Sequence, residues 1–303
     1  SVGEVEDGMK TLSPAHALTD APDAVPLEDV AGRVDFDGVG FAYGRDDGGL
    51  RDLDLHIRPG EKVGIVGRTG SGKSTLSLAF FRFLEAESGS IVIDGIDIST
   101  ITLEALRRRL TIIPQDAQLF QGTVRMNLDP FDTHDDGDMW FALQRCQLAT
   151  SAEGAARFTP TDDSVVRSLD DPVEQGGANF SAGQRQLLAL ARGLLKMRDS
   201  RILILDESTA NLDSDADTLI QRTIREQMAP GATILTVAHR LKTIIDYDKV
   251  LVLDEGKVLE YDSPTNLLAD THTEFYALCK RSGELDALTE AAHAAQRARD
   301  PRT

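Results

Sequence analysis

The run GRTGSGKST at residues 67–75 restricts what this chain can fold into more than any other feature. It has the spacing G-x-x-x-x-G-K-[ST], it follows the continuous apolar run KVGIVG (62–67), and a helical stretch comes after it. Gly67, Gly70 and Gly72 let the backbone wrap an anion with its amides pointing inward. Such a loop needs a buried strand to launch it and a helix N-terminus to receive it, so the run predicts a strand–loop–helix unit of an α/β sheet. Within it Lys73 can reach the β- and γ-phosphates of a nucleotide, and the Ser74 hydroxyl is placed to bind Mg²⁺. Arg68, Thr69, Ser71 and Thr75 complete the predicted cradle.

The remaining periodicities agree with an α/β fold. Residues 1–32 carry several acids with Pro14, Pro22 and Pro26 and almost no periodicity, and read as a flexible acidic linker. VDFDGVGFAY (34–43) alternates apolar and polar residues with a slip at Gly38, the pattern of a strand with a bulge. LDLHI (53–57), SIVIDG (90–95) and TIIPQD (111–116) read as further strands. From about 116 to 197 the signals turn helical, interrupted by a loop-like stretch at 153–178 with Pro160, Pro172, Gly176 and Gly177. Strands return at RILILD (201–206) and ATILTVA (232–238), and a hairpin is expected around VLDEGKVLE (252–260). The alanine-rich, charged tail, 271–303, reads as helical and mostly solvated.

Two other segments carry chemistry. ILILDE (202–207) delivers Asp206 at the end of a buried strand, where ligands gather in open α/β sheets. A carboxylate there can hold magnesium through water, and Glu207 stands where a base polarising an attacking water belongs. NFSAGQRQLLALARGLL (179–195) is an amphipathic helix whose predicted buried stripe is Leu187, Leu190, Ala191, Leu194 and Leu195. Its head, Ser181-Ala182-Gly183-Gln184, has a hydroxyl, unpaired amides and no carboxylate, which makes a second docking point for a phosphate.

Composition narrows the partners. Fifty acidic against 32 basic residues leave a net charge of −18, which repels nucleic acid at long range. Two distant cysteines, Cys146 and Cys279, fit a reducing compartment rather than a disulfide framework. No run approaches the ~20 apolar residues of a membrane span. A start at Ser1 without an initiator Met or signal peptide reads as a piece of a longer chain or a processed product.

Taken in order, GRTGSGKST, IIPQDAQLFQGT (112–123), FSAGQ (180–184), ILILDE, STANLD (208–213) and TVAHRL (236–241) resemble the ATP-binding cassette family, over about residues 34–280. NLDPF (127–131), LTIIPQDAQLFQGTVRMNLDPF and AHRLKTIIDYDKVLVLDEGKVLEYDSP look like the second nucleotide-binding domain of subfamily C, the multidrug-resistance-associated exporters. NFSAGQRQLLALARGLL and FYALCKRSG lean toward its fungal oligomycin-resistance branch.

The resemblance implies a P-loop NTPase (RecA-like) core with an antiparallel β subdomain and an inserted helical subdomain, spanning 33–270. It implies an ATPase using ATP and Mg²⁺, with Tyr43 stacking on adenine and Ser74, Gln115 and Asp206 placing the metal. Lys73, Glu207, Gln115 and His239 form the implied catalytic set, His239 being the γ-phosphate switch. The signature, Ser181 to Gln184, would face the nucleotide of a second domain, non-identical and in the same full-length chain, beside Asp213 of the D-loop. Transmembrane domains would be reached through coupling helices at the cytoplasmic face of the plasma membrane or vacuole, by way of Gln115 and the loop near Glu174–Gly177.

Phe180 and Ala182 depart from the family's usual Leu-Ser-Gly-Gly-Gln, which predicts a weakened γ-phosphate clamp. Two other readings compete. One is an ATP-sensing regulatory module of a channel-linked subfamily C protein. The other is a soluble cassette ATPase of DNA repair or translation, which the charge disfavours and which lacks its expected coiled coil or second cassette.

Overall fold

A computed structural model describes residues 31–41, 49–68, 70–80, 82, 86–114, 117–151, 158–197, 200–206, 214–227 and 231–299. The described residues fall into two compact units.

The larger unit holds two sheets. In the first, β1 (Val34–Phe41) pairs antiparallel with β2 (Leu50–Ile57) on one side and β4 (Ser88–Ile93) on the other, and the short β5 (Ile96–Asp97) completes the order β2-β1-β4-β5. The expected bulge is present. The register of β1 with β2 shifts between Phe36 and Val39, and the Gly38 amide donates to Asp54 Oδ1 at 2.7 Å.

The second sheet has six strands in the order β12-β11-β3-β10-β9-β6. Here β3 is Lys62–Gly67, β6 Leu110–Ile113, β9 Ile202–Asp206, β10 Thr233–Val237, β11 Lys249–Asp254 and β12 Lys257–Asp262. Five strands run parallel, and only the β11–β12 hairpin is antiparallel. The parallel strands are covered on both faces, which is why KVGIVG, ILILD and TILTV are continuous rather than alternating apolar runs. Helix α1 (Lys73–Phe80) follows β3, and α2 (Leu103–Arg109) precedes β6. One core joins the two sheets, with Phe36 and Phe80 packed ring to ring at 6.0 Å.

The second unit comprises described residues 117–195 and 214–226. Short strands β7 (Gly122–Thr123) and β8 (Pro172–Val173) pair antiparallel among helices α3 (Val124–Leu128), α4 (Asp136–Arg145), α5 (Ala182–Lys196) and α6 (Ser214–Gln227). Helix α5 is buried more widely than its predicted stripe: Leu188 and Ala189 are buried as well, whereas Leu194 is only half-buried. A stripe drawn from a single 3.6-residue period is too narrow for a helix covered on more than one side.

Beyond β10 comes α7 (Leu241–Ile244), and after β12 come α8 (Pro264–Ala269), α9 (Glu274–Arg281) and α10 (Leu285–Arg299). The tail is helical as expected, but its apolar side is not solvated. Phe275 and Cys279 are fully buried, and Leu288 and Ala292 nearly so. Among the described residues, no helix is long and apolar enough to cross a membrane.

Candidate active site

The loop after β3 is shaped by what lies behind it. Gly67 has φ +156°, and a Cβ there would overlap the Leu253 carbonyl oxygen, so no other residue fits without displacing β11. Ser71 donates its amide to Arg68 O at 3.1 Å, and Gly72 O accepts from Leu76 N at 2.9 Å as α1 begins. The Lys73 ammonium folds back onto the loop, donating to Gly67 O at 2.6 Å and Arg68 O at 2.9 Å. Burial lowers its pKa from the ordinary lysine value, and the Asp206 carboxylate partly opposes that shift. Arg68, Gly70 and Ser74 are exposed, whereas Thr75 is buried. Ser71 is buried too, and its hydroxyl has no hydrogen-bond partner among the described residues.

A support that sequence reasoning missed is Gly256, in the tight β11–β12 turn. Its amide donates to Ser71 O at 3.2 Å, and its carbonyl accepts from Arg51 N at 2.8 Å. At φ +77°, with a Cβ that would overlap Gly49 O, only glycine lets the turn brace the loop from behind. Asp254-Glu255-Gly256 in the predicted hairpin was the available signal, though nothing local says what the turn leans on.

Asp206 is the last residue of β9, level with Val237 of β10. His239 lies two residues beyond β10 and is exposed, just after Ala238 donates its amide to Ile65 O at 3.0 Å. Because β3, β9 and β10 are parallel neighbours, the loop from Gly67, Asp206 and His239 all emerge at one edge of the sheet. Strand β6 ends at the same edge, at Ile113. Tyr43, Thr69, Gln115, Glu207 and Asp213 lie outside the described residues.

In the second unit, the head of α5 is a reciprocal capping box. Gln184 N donates to Ser181 Oγ at 3.1 Å, and Ser181 N donates to Gln184 Oε1 at 2.9 Å. The first helical bond runs from Arg185 N to Ser181 O at 2.9 Å, so the amides of Ala182 and Gly183 precede the helical ladder. Phe180, the departure from the usual leucine, is buried, and its carbonyl accepts from Arg185 Nη1 at 2.8 Å. Further along α5, Arg192 donates Nε to Asn127 O at 2.6 Å. Burial lowers its pKa from the ordinary arginine value. The Asn127 side chain in turn clasps the segment before it, accepting from Phe120 N at 2.8 Å and donating to Phe120 O at 2.8 Å and Thr123 O at 3.0 Å. Neither residue was singled out from the sequence, because an asparagine reaching seven residues back has no local pattern.

The ABC transporter family model matches residues 50–210, more than half of the chain. The chain belongs to the ABC transporter family. Over 295 residues it is 44% identical to the pleiotropic ABC efflux transporter of multiple drugs YBT1 of Candida glabrata, covering 95% of this chain and 18% of the relative. It is 48% identical over 254 residues to the ATP-dependent bile acid permease of Saccharomyces cerevisiae, covering 80% of this chain and 15% of that protein. With human ATP-binding cassette sub-family C member 3 it shares 53% identity over 234 residues, 77% of this chain and 14% of the relative. The chain thus spans less than a fifth of the length of these curated relatives. A bacterial Atm1-family ABC exporter solved with ATP bound superposes with a TM-score of 0.77 at 32% identity, over 93% of this chain and 47% of the exporter. The expected fold is therefore the observed one, an ABC ATPase domain, and its relatives are of the subfamily C exporter type.

Proposed function

We propose that the chain binds and hydrolyses MgATP as one half of the motor of a membrane exporter, working against a second, non-identical nucleotide-binding domain. The observation that carries this reading is the braced phosphate loop, Asp206 and His239 emerging at one edge of the parallel sheet of an ABC ATPase domain. Tyr43 stacks on the adenine, while Lys73 and the amides of the Gly67–Thr75 loop hold the phosphates. To do so Lys73 exchanges the carbonyls of Gly67 and Arg68 for phosphate oxygens.

Among the described residues, no group of three or more His, Cys, Asp or Glu could hold a metal. The donors present, the exposed Ser74 hydroxyl and the Asp206 carboxylate, suit Mg²⁺, which favours one or two carboxylates plus substrate phosphates over an all-protein cage. Ser74, Gln115 and Asp206 would hold it, and when bound it neutralises charge on the phosphate oxygens. Glu207 polarises the attacking water, and His239 grips the γ-phosphate. Across the pair, the signature serves the partner's nucleotide. Capping uses a lone pair of Ser181 Oγ and leaves the hydroxyl proton, which with the amides of Ala182 and Gly183 forms a donor set for phosphate oxygens. The Ala182 methyl crowds that set, which makes this clamp the weaker of two and favours a partner carrying an intact signature. Asp213 meets that partner. Motion reaches transmembrane helices at the cytoplasmic face through Gln115 and the Glu174–Gly177 loop, as a ligand-driven shift between two states.

Light scattering on the chain and its Glu207→Gln form, with and without MgATP, tests the reading. A chain that binds ATP yet stays monomeric in both forms supports a non-identical partner. A Glu207→Gln dimer that forms only with ATP refutes the need for one, and failure to bind ATP refutes the reading as a whole.

A further inference from the structure

The tail ends on the segment that follows His239, at the edge of the sheet where β3 and β11 begin. After β10 the chain passes through His239 and α7, and Ile244 lies so close to β3 that a Cβ on Gly64 would come within 2.6 Å of it. The Tyr247 and Thr236 hydroxyls share a buried hydrogen bond of 2.9 Å. Asp248 exchanges two bonds with the start of β3: its amide donates to Lys62 O at 3.0 Å, and its Oδ2 accepts from Lys62 N at 2.7 Å. Residues 244–248 thereby connect the two strands that lead to the phosphate loop and to His239.

Arg299, in the last turn of α10, closes over this connection. Its Nη1 donates to Tyr247 O at 3.2 Å and lies 3.2 Å from Asp248 Oδ1, while Nη2 donates to Asp246 O. One planar guanidinium thus grips three successive residues. The Arg299–Asp248 pair is part-exposed, so the charge attraction alone contributes little, and the fixed fork on two carbonyls carries the grip. The tail is fastened at its other end as well. The Glu260 carboxylate accepts the amides of Glu274 at 2.5 Å and Phe275 at 3.0 Å, capping α9.

From this geometry we infer that Arg299 is a positioning residue for the nucleotide site, through which docking of the C-terminal helix sets how firmly the His239 segment is held for the γ-phosphate. The inference rests on the reading of His239 given above. It makes the tail a point of regulation: a partner or modification that lifts α10 loosens the His239 segment from the edge of the sheet opposite the phosphate loop.

The test uses the full chain with Arg299→Ala, Arg299→Lys and His239→Ala, by amide hydrogen exchange and by calorimetry with MgATP and MgADP. Arg299→Ala is expected to speed exchange across 239–248 by roughly tenfold, while β9 and α5 exchange as in the unaltered chain. Its preference for ATP over ADP should fall toward that of His239→Ala, with ADP affinity unchanged. Arg299→Lys, which keeps the charge but not the fork, should lie between. Unchanged exchange in Arg299→Ala overturns the inference. Faster exchange with an unchanged ATP-over-ADP preference also overturns it, leaving the tail a purely structural brace. If His239→Ala itself does not alter that preference, the reading of His239 fails and takes the functional half of the inference with it, while the exchange data still decide whether Arg299 holds the segment.

Discussion

Asn127 offers a perturbation whose cost can be worked out atom by atom. The residue is 2% exposed and is placed so that one amide serves three backbone groups, Phe120 N, Phe120 O and Thr123 O, at 2.8, 2.8 and 3.0 Å. Replacing it with alanine strands the two Phe120 groups and takes one bond from Thr123 O. The three bonds are part-buried, so at about 0.5–1.5 kcal/mol for each bond lost, Asn127→Ala should lose about 1.5–4.5 kcal/mol. At about 2–4 °C per kcal/mol for a chain of this class, the midpoint should fall by roughly 3–18 °C. Asn127→Asp is the sharper test. It keeps the acceptor for Phe120 N but turns the donor into a second carboxylate oxygen facing two carbonyls, with a charge that has left water. At neutral pH it should therefore be less stable than the alanine variant despite being closer in shape. The gap should narrow as pH falls through the carboxylate range and the acid regains a donor. Thermal unfolding followed by circular dichroism and by the fluorescence of Trp140, the chain's one tryptophan and a member of the same unit, measures both variants. An aspartate variant as stable as the alanine one at neutral pH would show that the amide does not carry these bonds.

Other outcomes can be checked in the same way. Lys73→Met should weaken MgATP binding by about 10- to 100-fold, since charge-assisted bonds contribute about 1.5–3 kcal/mol, and calorimetry showing unchanged affinity would refute its role. Gly256→Ala should weaken ATP binding and lower the unfolding midpoint together, because the added methyl meets Gly49 O and pushes the brace off Ser71; a variant that binds ATP normally would mean the brace is idle. Burial works to raise the Asp129 pKa, but the His134 and Thr133 amides and the Thr133 hydroxyl outweigh it and hold the carboxyl below the usual carboxylate value. A depressed folded-state pKa stabilises the fold above the unfolded value of 3.8, and that contribution is lost as pH falls below it. Asp129→Asn should thus be less stable at pH 7 and flatter in urea midpoint below about pH 4, and parallel curves would contradict this.

Much of the site was legible because its chemistry is local. A loop that wraps phosphate needs glycines at fixed offsets, a lysine and a hydroxyl, all within nine residues, so GRTGSGKST carries its own evidence. The strand preceding it and the strand ending in Asp206 are continuous apolar runs because parallel strands are covered on both faces. The bulge at Gly38 and the hairpin before Gly256 were equally readable, since turn chemistry is written in neighbouring residues. The breadth of burial on α5 was not, because a helical period reports one face while neighbouring elements decide how many are covered.

The sequence by itself therefore determined the strand–loop–helix unit at GRTGSGKST, most of the longer strands, and the family. Only the tertiary structure decided what stands behind these parts: Gly256 under Ser71, Asn127 clasping Phe120, and Arg299 closing on Asp246–Asp248. The reason is physical. Propensity, periodicity and turn chemistry act over a few residues, whereas a brace joins positions as far apart as Gly256 and Arg51, 205 residues, and exists only once the sheet has brought them together.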